Sequence, residues 1–346
     1  MNRGIVVNAR FQTRRVTGVE RYAGEILRRM QAQIRQVKPG YRLNGLGGHV
    51  WEQFILPLGI KKDEILWSPA NTGPILVSNQ IITIHDTSFL DHPEWYQPEF
   101  VAWYQFVVPR LLHRARVVTT VSSYSKIRIL QAYRIYDGKV QVIPGGVDLG
   151  QFKPQSEGEL RRVRNKYSLA ETYVLSLGSM QPRKNLPRLF DAWRQVHPRF
   201  PDVELVIAGG GGAVFRKLET QEAHPGVRIL GYVDDTDLPA LYAGARAYCL
   251  ISLNEGFGLT ILEAMACGTP VVASNLAALP EVVGDAGRLV DPLNAGELID
   301  AFMEMIADGE DRRLMIQKGL ERAQQFTWEQ SADQMQNLLV RELEKL

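Results

Sequence analysis

Apolar and polar positions in the first half of the chain form short apolar runs separated by longer amphipathic stretches. The short runs are rich in Val, Ile and Thr and predict β-strands at residues 4–8, 65–68, 80–85, 117–121 and 140–143. Apolar residues recurring every three or four positions predict helices at residues 19–37, 98–115 and 123–133. Between the first helix and residue 65 there is only one weak strand candidate, at residues 41–46. The first sheet is therefore expected to be short of an element.

The alternation restarts after Pro144. Strands are predicted at residues 173–177, 203–208, 227–230, 247–251 and 270–273, and helices at residues 186–197, 238–244, 259–267 and 297–307. Apolar strands separated by helices are typical of parallel sheets covered on both faces, so the two series predict an α/β protein of two doubly wound domains. Residues 144–157 are rich in Gly and Pro and are predicted to link them. A ligand is expected in the cleft between the domains, at the carboxyl ends of the strands.

Composition excludes several classes of protein. The chain has 346 residues, 45% of them hydrophobic and 23% charged, which is near the globular average and unlike disordered, collagen-like or disulfide-rich chains. Its apolar runs are too short for a transmembrane helix or a signal peptide. Cys249 and Cys267 lie in apolar stretches without metal-ligand spacing. They are expected to be buried, free thiols of a cytoplasmic protein.

Positive charge is concentrated in the first half of the chain. Residues 1–165 carry 23 Lys and Arg against 13 Asp and Glu, a net charge of +10, and residues 166–346 carry −8. A strongly basic half of the chain favours contact with an anionic partner. The basic residues are accompanied neither by a helix suited to base recognition nor by interleaved aromatic residues, so a nucleic-acid partner is not expected. An anionic membrane surface or a phosphate-bearing substrate fits better, and a solvated basic face without a partner remains the alternative.

Several common catalytic signatures do not occur in the sequence. There is no P-loop, no GxSxG elbow and no HExxH zinc motif. A glycine run at residues 209–212 follows a strand, but Val214 and Phe215 do not supply the third glycine of a dinucleotide fingerprint, so a nicotinamide cofactor is not expected. Asp235 and Asp237 resemble an acidic metal pair, yet they precede an amphipathic stretch and are interpreted as helix caps.

Candidate chemistry in the first half lies at two junctions between predicted elements. Gly18 opens the first helix, where backbone N–H groups are able to cradle an anion. His85 ends a strand, where an imidazole is able to donate a hydrogen bond or shuttle a proton, although a lone histidine is more often structural. The neighbouring Asp86 either orients that ring or caps the turn.

Two junctions in the second half carry stronger signals. After the strand at residues 173–177, a glycine turn at Gly178 leads to adjacent Arg183 and Lys184. Two cations beside backbone N–H groups suit a diphosphate, whereas a solvated basic turn is the alternative. Glu255 ends the strand at residues 247–251 in the run EGFG, and Glu263 follows about one turn into the next helix. Carboxylates there are suited to accept hydrogen bonds from sugar hydroxyls.

These segments together resemble the retaining glycosyltransferases of the GT4 family. The family signature is similar to EGFGLTILEAMACGTPVVAS followed by LPEVVGDAG, and the other matching segments arrive in family order: GVERYA, TIHDTSF, TVSSYSK, VIPGGVD, GSMQPRKNL, AGGGG and LGYVDD. The resemblance covers nearly the whole chain. The stretch GGHVWEQFILP and the PEW variant resemble the branch near mannosyltransferase B, whose members often use GDP-mannose.

The resemblance implies the GT-B fold, with two Rossmann-like domains facing a central cleft. An acceptor-side domain would comprise residues 1–157 plus the helix at 328–346, and a donor-binding domain residues 158–327. It implies catalytic roles for His85, Arg183, Lys184 and Glu255. The residues that it implies for donor binding are Gly18, Gly178, Arg183, Lys184, Tyr232, Val233, Glu255, Gly256, Phe257, Gly258, Leu259, Thr260 and Glu263. In this assignment His85 donates to the transferred sugar, Glu255 contacts its hydroxyls, Glu263 holds the ribose, and Tyr232 and Val233 lie near the base.

The resemblance also implies how the reaction proceeds. Arg183 and Lys184 would stabilise the departing nucleoside diphosphate, no metal or other cofactor is expected, and attack would come from the same face with retention of configuration. The donor is a nucleotide sugar and the acceptor a glycan or a lipid-linked molecule in polysaccharide or cell-surface glycan synthesis. Basic side chains of the first domain are expected to contact anionic lipid or a lipid-linked diphosphate at the membrane: Arg10, Arg14, Arg15, Arg21, Arg28, Arg29, Arg35 and Lys38.

Three alternatives stay open at this point. The donor is a UDP-glucose type with the same chemistry, the protein is a sugar-nucleotide epimerase on a similar fold, or it binds a sugar nucleotide without catalysis. Joint retention of His85, Arg183, Lys184, Glu255 and Glu263 argues against a silent protein. The region before residue 65, which is expected to be short of an element, argues in favour of a silent protein.

Overall fold

A computed structural model describes residues 4–41, 43, 45–178, 180–210, 224–307 and 309–346 of the protein. The strands, in chain order, are β1 Gly4–Asn8, β2 Ile34–Val37, β3 Glu64–Ser68, β4 Gln80–Thr83, β5 Val117–Thr120, β6 Val140–Val142, β7 Thr172–Leu177, β8 Val203–Ala208, β9 Val227–Gly231, β10 Ala247–Leu250, β11 Val271–Ser274 and β12 Arg288–Val290. The α-helices are α1 Gly18–Arg29, α2 Gly45–Val50, α3 Ser88–Asp91, α4 Pro98–Arg114, α5 Ser123–Tyr133, α6 Glu157–Lys166, α7 Leu186–Val196, α8 Leu238–Ala243, α9 Leu259–Ala266, α10 Leu279–Val283, α11 Ala295–Ile306, α12 Glu310–Ala323 and α13 Trp328–Glu344.

The chain divides into two units. Unit 1 comprises residues 1–91, 98–146 and 328–346, and unit 2 comprises residues 92–97 and 147–327. The division after Gly146 differs from the boundary expected at residue 157. The reason is that residues after Gly146 already pack in unit 2: the Val147 N–H donates a 2.9 Å hydrogen bond to the Phe326 carbonyl, and the Phe152 ring lies 6.1 Å from that of Tyr242. Most of the stretch interpreted as a linker therefore belongs to unit 2, and it leads into α6 at Glu157.

Unit 1 contains a parallel sheet of six strands in the order β2-β1-β3-β4-β5-β6. Ile5 in β1 lies opposite Ile34 of β2 on one side and opposite Ile65 of β3 on the other. The interior strands are buried along their length, for example Glu64–Ser68. Burial on both faces explains why these strands appear in the sequence as continuous apolar runs, as expected for a doubly wound domain.

The strand β2 corrects the prediction that the first sheet is short of an element. Helix α1 ends at Arg29, because Met30 already has extended backbone angles, and residues 34–37 form an edge strand instead of continuing the helix. The strand was missed because its sequence, IRQV, is only half-buried and has no apolar run. The weak strand candidate at residues 41–46 was wrong, because α2 begins at Gly45; Arg42 and Asn44 lie outside the described residues.

Unit 2 contains a second parallel sheet, in the order β12-β11-β10-β7-β8-β9. Strands β7 and β8 pair in register from Thr172 opposite Val203 to Leu177 opposite Ala208. Trp193 of α7 is fully buried against this sheet, with its ring 5.7 Å from that of Phe302 in α11 at an angle of 89°. The two parallel sheets confirm the α/β fold class, and the adjacency of β7 and β10 brings the ends of these strands together.

Helix α13 is the amphipathic helix predicted at the end of the chain, and it belongs to unit 1. It packs on α1: the Trp328 ring lies 6.1 Å from that of Tyr22, and Glu329 accepts a 2.5 Å hydrogen bond from Arg29. Within the part of the chain that the structure describes, no helix combines the length and apolar character that a bilayer-spanning segment needs.

Candidate functional site

The candidate site in unit 2 lies where the adjacent strands β7 and β10 end. Arg183 and Lys184 occupy a short 3₁₀ turn after β7, and Glu255 follows β10 by five residues. A backbone hydrogen bond of 2.8 Å from the Leu253 N–H to the Arg183 carbonyl joins the two loops. Parallel pairing therefore brings together three of the residues that the sequence singled out.

The Glu255 carboxylate is held by both predicted cations. Lys184 Nζ donates to Oε1 at 2.6 Å, and Arg183 Nη1 donates to Oε2. Ser252 Oγ adds a 2.8 Å hydrogen bond to Oε1. The three charged side chains are largely buried, with exposed fractions of 20% for Arg183, 11% for Lys184 and 10% for Glu255. The two cations expected to bind a diphosphate, Arg183 and Lys184, thus form ion pairs with the Glu255 carboxylate in this structure.

The electrostatics of this cluster keep Glu255 ionised. Burial alone would raise the pKa of Glu255, but attraction to Arg183 and Lys184 and hydrogen bonds from Lys184 and Ser252 lower it to about 2. Burial lowers the pKa of Lys184, and the charge of Glu255 partly offsets that effect. The site therefore concentrates two positive charges against one negative charge and has a surplus of positive charge to offer a ligand.

The second glutamate of the pair, Glu263, lies in α9 and is buried. Its Oε2 accepts a 2.9 Å hydrogen bond from the hydroxyl of Tyr242 in α8. Burial raises the pKa of Tyr242 well above its usual value, and the charge of Glu263 raises it further. Tyr242 therefore remains a neutral donor that orients the carboxylate.

Two glycines allow the close approaches in this site. Gly178 has a φ of +156°, and a Cβ there would lie 2.7 Å from Cε of Lys184. Gly258, which precedes α9, has a φ of +119°, and a Cβ there would lie 2.9 Å from Cδ2 of Leu279. A side chain at Gly178 would displace the lysine, so this glycine is required for the position of Lys184.

The remaining donor-binding residues predicted in unit 2 differ in their exposure. Phe257 is buried with its ring 5.8 Å from that of Phe326, and Val233 and Gly256 are also buried, whereas Leu259 and Thr260 are partly exposed. Tyr232 is 62% exposed, directly after β9. Of this group, Tyr232 offers the most side-chain surface to a ligand.

His85 lies in unit 1, two residues after β4, and is buried. Its Nε2 lies 2.9 Å from the Pro69 carbonyl oxygen, and its ring makes an edge contact with Tyr22 at 4.9 Å. Because a carbonyl only accepts, Nε2 carries the proton and Nδ1 of the neutral ring is an acceptor. Burial lowers the pKa of His85, so the neutral form is favoured. The ring N–H is thus engaged by the Pro69 carbonyl, whereas the sequence predicted that His85 donates to the transferred sugar.

Asp86 does not orient the ring of His85. Its Oδ1 accepts hydrogen bonds from the backbone N–H of Ser88 at 3.0 Å and from the Ser88 hydroxyl at 2.5 Å. Of the two interpretations left open by the sequence, the structure therefore shows the capped turn.

Gly18 is the exposed first residue of α1, also in unit 1. The first turn of that helix contains Glu20, whose Oε2 accepts a 3.2 Å hydrogen bond from the Thr17 N–H. Arg14 lies 3.9 Å from the same carboxylate. A side-chain carboxylate thus already occupies part of the predicted anion cradle, and an anion would compete with it.

Several arginines predicted to contact lipid are engaged inside unit 1. Arg10 is 3% exposed and its Nη1 lies 2.9 Å from Oε2 of Glu52, which is also buried. Burial raises the pKa of Glu52, but Arg10, His49 and Asn8 lower it to about 2. Arg10 is therefore excluded from a lipid contact.

The basic face expected on α1 is likewise largely neutralised. Arg28 and Arg29 both pair with Glu25, and Arg29 also pairs with Glu329. Arg35, in β2, pairs with Glu64 at 2.6 Å. These ion pairs reduce the positive charge that the helix and the neighbouring strand offer to a partner.

Asp237 corrects the helix-cap interpretation. It precedes α8, but its side chain makes no cap hydrogen bond. Its carboxylate instead binds Arg162 at 2.9 Å, Lys166 at 2.6 Å and the Tyr167 hydroxyl at 2.8 Å. It fastens α6 to α8, and across the described residues no group of three or more His, Cys, Asp or Glu is placed to hold a metal ion.

Sequence reasoning missed two site residues, Ser252 and Tyr242. Each is a single hydroxyl in an apolar stretch, so neither forms a motif. The three-residue spacing from Ser252 to Glu255 is the one signal that could have indicated a local hydrogen bond. The prediction of buried, free thiols at Cys249 and Cys267 is confirmed.

Comparison with known proteins agrees with this architecture. The model of the glycosyl transferases group 1 matches residues 159–339, and the model of glycosyltransferase family 4 matches residues 68–151. The chain is 35% identical over 285 residues to the O-antigen chain mannosyltransferase B of Escherichia coli, covering 80% of this chain and 74% of that one.

Two further relatives are more distant. An MMP α-(1→4)-mannosyltransferase of Mycolicibacterium hassiacum is 33% identical over 250 residues, covering 69% of this chain and 58% of that one. The solved structure of sucrose-phosphate synthase from Thermosynechococcus elongatus superposes with a TM-score of 0.75 at 20% identity over 100% of both chains, and it shares the GT-B fold. On this evidence the chain belongs to the GT4 family of glycosyltransferases.

Proposed function

We propose that this glycosyltransferase moves a mannosyl residue from a nucleoside-diphosphate sugar, with GDP-mannose favoured, to a glycan or lipid-linked acceptor in polysaccharide or cell-surface glycan synthesis. The observation that carries the proposal is the cluster of Arg183, Lys184 and Glu255 at the ends of β7 and β10. Mannose is favoured because the chain is similar to an O-antigen chain mannosyltransferase.

The proposed reaction uses the surplus positive charge of this cluster. As the bond between the anomeric carbon and the diphosphate oxygen breaks, negative charge develops on the leaving group. Arg183 and Lys184 are expected to turn from Glu255 to the diphosphate and stabilise that charge. The carboxylate that they release is then available to accept hydrogen bonds from the hydroxyls of the transferred sugar.

We propose that the acceptor hydroxyl attacks the anomeric carbon from the side on which the nucleotide leaves, so that configuration is retained. The hydroxyl proton passes to the departing phosphate, and the bond from the acceptor oxygen to the sugar replaces the bond to the phosphate. In this scheme Glu255 is a binding carboxylate that accepts hydrogen bonds from the sugar hydroxyls, because the departing phosphate, and not Glu255, takes the acceptor proton.

Two of the alternative proposals share this site. A UDP-glucose donor would use the same cations, and a silent binding protein would keep the nucleotide affinity without transfer. Thermal unfolding against GDP, UDP, ADP and their sugar conjugates separates the donors, because a ligand at a hundredfold its dissociation constant stabilises by about 2.7 kcal/mol. A shift with GDP-mannose but not with UDP-glucose supports the proposed donor, and the reverse contradicts it.

Variants of the two cations test whether the nucleotide binds at this cluster. Arg183→Ala and Lys184→Ala should each lose the shift, whereas Arg194→Ala, an exposed arginine of α7 paired with Asp191, should keep it. Product formation with a mannosyl acceptor, followed by NMR of the new anomeric proton, tests transfer and retention. Nucleotide binding without product under any acceptor supports the silent protein. Activity that survives EDTA tests the proposed independence of metals.

A further inference from the structure

The loop at residues 255–258, here called the Glu255 loop, is held on one side by helix α10. The Ala278 N–H, directly before α10, donates a 3.4 Å hydrogen bond to the Glu255 carbonyl. Leu279, the first residue of α10, packs closely on Gly258: a Cβ on the glycine would lie 2.9 Å from Cδ2 of the leucine. Ala277 has a φ of +56°, which is rare for a residue with a Cβ and persists only where neighbouring contacts enforce it. The position of α10 therefore sets the position of the Glu255 loop.

The second support of the Glu255 loop is the ring of Phe326. It lies 5.8 Å from the ring of Phe257, at an angle of 67°. Aromatic pairs favour this edge-to-face geometry. The backbone of Phe326 is itself held, because its carbonyl accepts a 2.9 Å hydrogen bond from the Val147 N–H. The buried side chain of Phe257 is therefore packed against a ring whose backbone is fixed.

Arg322, in the last turn of α12, joins these two supports. Its Nε donates at 3.0 Å to the Val282 carbonyl and its Nη2 donates at 2.6 Å to the Glu281 carbonyl, both in the last turn of α10. Carbonyls at the end of a helix lack a partner within it, and a cation is favoured there. The guanidinium carbon also lies 4.8 Å from the centroid of the Phe326 ring. One side chain thus contacts both α10 and Phe326.

The backbone that carries Arg322 is itself packed in unit 2. Gly319, one turn before Arg322 in α12, is buried, and a Cβ there would lie 3.4 Å from Cγ of Met265 in α9. Ala323, the residue after Arg322, is also buried. Arg322 therefore extends from a fixed helix, so its contacts fix the position of what they bind.

We propose that Arg322 is a positioning residue for the Glu255 loop. It holds α10 and Phe326 in place, and both hold the loop whose carboxylate contacts the transferred sugar in the proposed function, on which this inference rests. The chain just before the loop is anchored separately, because the Leu253 N–H donates to the Arg183 carbonyl at 2.8 Å. Loss of Arg322 should therefore displace the carboxylate and leave the cations assigned to the diphosphate in place.

Initial rates of Arg322→Met test the proposal. Methionine keeps the apolar part of the side chain but removes the charge and both hydrogen bonds to α10. A displacement of about 1 Å costs on the order of a hundredfold in rate, so kcat for transfer from GDP-mannose should fall by about ten- to a hundredfold. The Kd of GDP, measured by calorimetric titration, should change by less than about threefold, because Arg183 and Lys184 still meet the diphosphate. Arg322→Lys keeps a cationic donor and should recover part of kcat.

A double-mutant cycle tests the route from Arg322 to the chemistry. In the Glu255→Gln background the carboxylate is already lost, so adding Arg322→Met should lower transfer by less than about twofold further. Phe326→Leu removes the ring that contacts both Arg322 and Phe257. It should show the same pattern in weaker form, with kcat reduced by about three- to tenfold and the Kd of GDP kept.

Arg246→Met is the matched control. Arg246 also donates to a carbonyl at the end of a helix of unit 2, that of Ile306 in α11, at 2.9 Å. This variant should lower the unfolding temperature much as Arg322→Met does and keep both kcat and the Kd of GDP. A loss of stability alone would therefore not imitate the predicted split between kcat and GDP affinity.

Any one of three results overturns the proposal. Arg322→Met keeps the kcat of Arg246→Met, it loses kcat and GDP affinity in proportion, or its effect is additive with that of Glu255→Gln. A wild type that binds none of the nucleotides and transfers no sugar contradicts the proposed function itself, and the inference falls with it. With an active wild type, the outcome concerns Arg322 alone.

Discussion

The Tyr242 hydroxyl donates a 2.9 Å hydrogen bond to Oε2 of Glu263, and both side chains are buried in unit 2. If Glu263 holds the ribose, this hydrogen bond fixes the position of Oε2 and thereby the orientation of the whole carboxylate, including Oε1. Tyr242 is then a positioning residue that acts on the nucleotide through Glu263.

Tyr242→Phe should therefore weaken recognition of the ribose. We expect KM for the donor to rise about tenfold with little change in kcat, since a hydrogen bond to a charged group contributes about 1.5–3 kcal/mol. The specific readout is the preference for a ribonucleotide over its deoxyribose analogues, measured by competition. A variant that is less stable but keeps that preference would make Tyr242 merely structural. Tyr167→Phe, which removes a hydrogen bond to Asp237 in the same unit, is the control.

Glu255→Gln should separate binding from chemistry. The neutral amide no longer competes with a diphosphate for Arg183 and Lys184, so GDP should bind at least about threefold more tightly. Transfer should fall by about a hundredfold or more, because the carboxylate that we propose contacts the sugar is lost. Calorimetric titration and initial rates measure the two effects. Equal loss of affinity and rate would show that the carboxylate aids nucleotide binding. Asp191→Asn, at an exposed ion pair of α7, should change neither.

Gly178→Ala should move Lys184 without removing its charge. The new Cβ would lie 2.7 Å from Cε of the lysine, and the φ of +156° is unfavourable for alanine. We expect a loss of nucleotide affinity similar to that of Lys184→Ala, on a protein that remains folded by circular dichroism. Gly150→Ala, at an exposed turn, controls for the substitution. Normal nucleotide affinity in Gly178→Ala would show that the lysine position is not critical.

Acid should destabilise each unit through one buried carboxylate. The pKa values of Glu52 in unit 1 and Glu255 in unit 2 are lowered to about 2 in the folded protein, below the usual value of 4.5. Their stabilisation is thus complete above pH 4.5 and is lost as the pH falls toward 2, on the order of 3 kcal/mol for each group. Urea unfolding between pH 7 and pH 3 measures this dependence.

The pH dependence has its own controls. Glu52→Gln should flatten the acid loss of unit 1 and Glu255→Gln that of unit 2, although both variants start less stable because each leaves an arginine without its carboxylate. If neither variant changes the slope, the acid sensitivity belongs to other carboxylates.

The interior of both sheets could be predicted from the sequence, because strands buried on two faces leave uninterrupted apolar runs. The edge strands were predicted only in part. Val140–Val142 and Val227–Gly231, each at one edge of its sheet, were predicted, whereas Ile34–Val37 and Arg288–Val290 at the opposite edges were not. The two missed strands have only three or four residues, are partly exposed and contain arginine, so their sequence has no distinct apolar run.

For the candidate site, the sequence singled out charged residues that the structure brings together, but it did not predict how they are paired. Arg183, Lys184 and Glu255 were assigned to a ligand, and the pairing among them depends on β7 lying next to β10, which the local sequence does not encode. The tautomer of His85 likewise depends on the Pro69 carbonyl, 16 residues away. Long-range contacts of this kind follow from topology.

Helix α13 has a consequence for how the protein is made. Its residues follow unit 2 in the chain, yet they pack on α1 and belong to unit 1. During synthesis every residue of unit 2 is translated, and leaves the ribosome, before the residues of this helix do. Unit 2 is therefore complete outside the ribosome before unit 1 is, because unit 1 still lacks α13. Unit 1 is therefore the first unit to be started and the last to be completed. A chain that stalls or ends before α13 would leave the surface of α1 that contacts this helix uncovered.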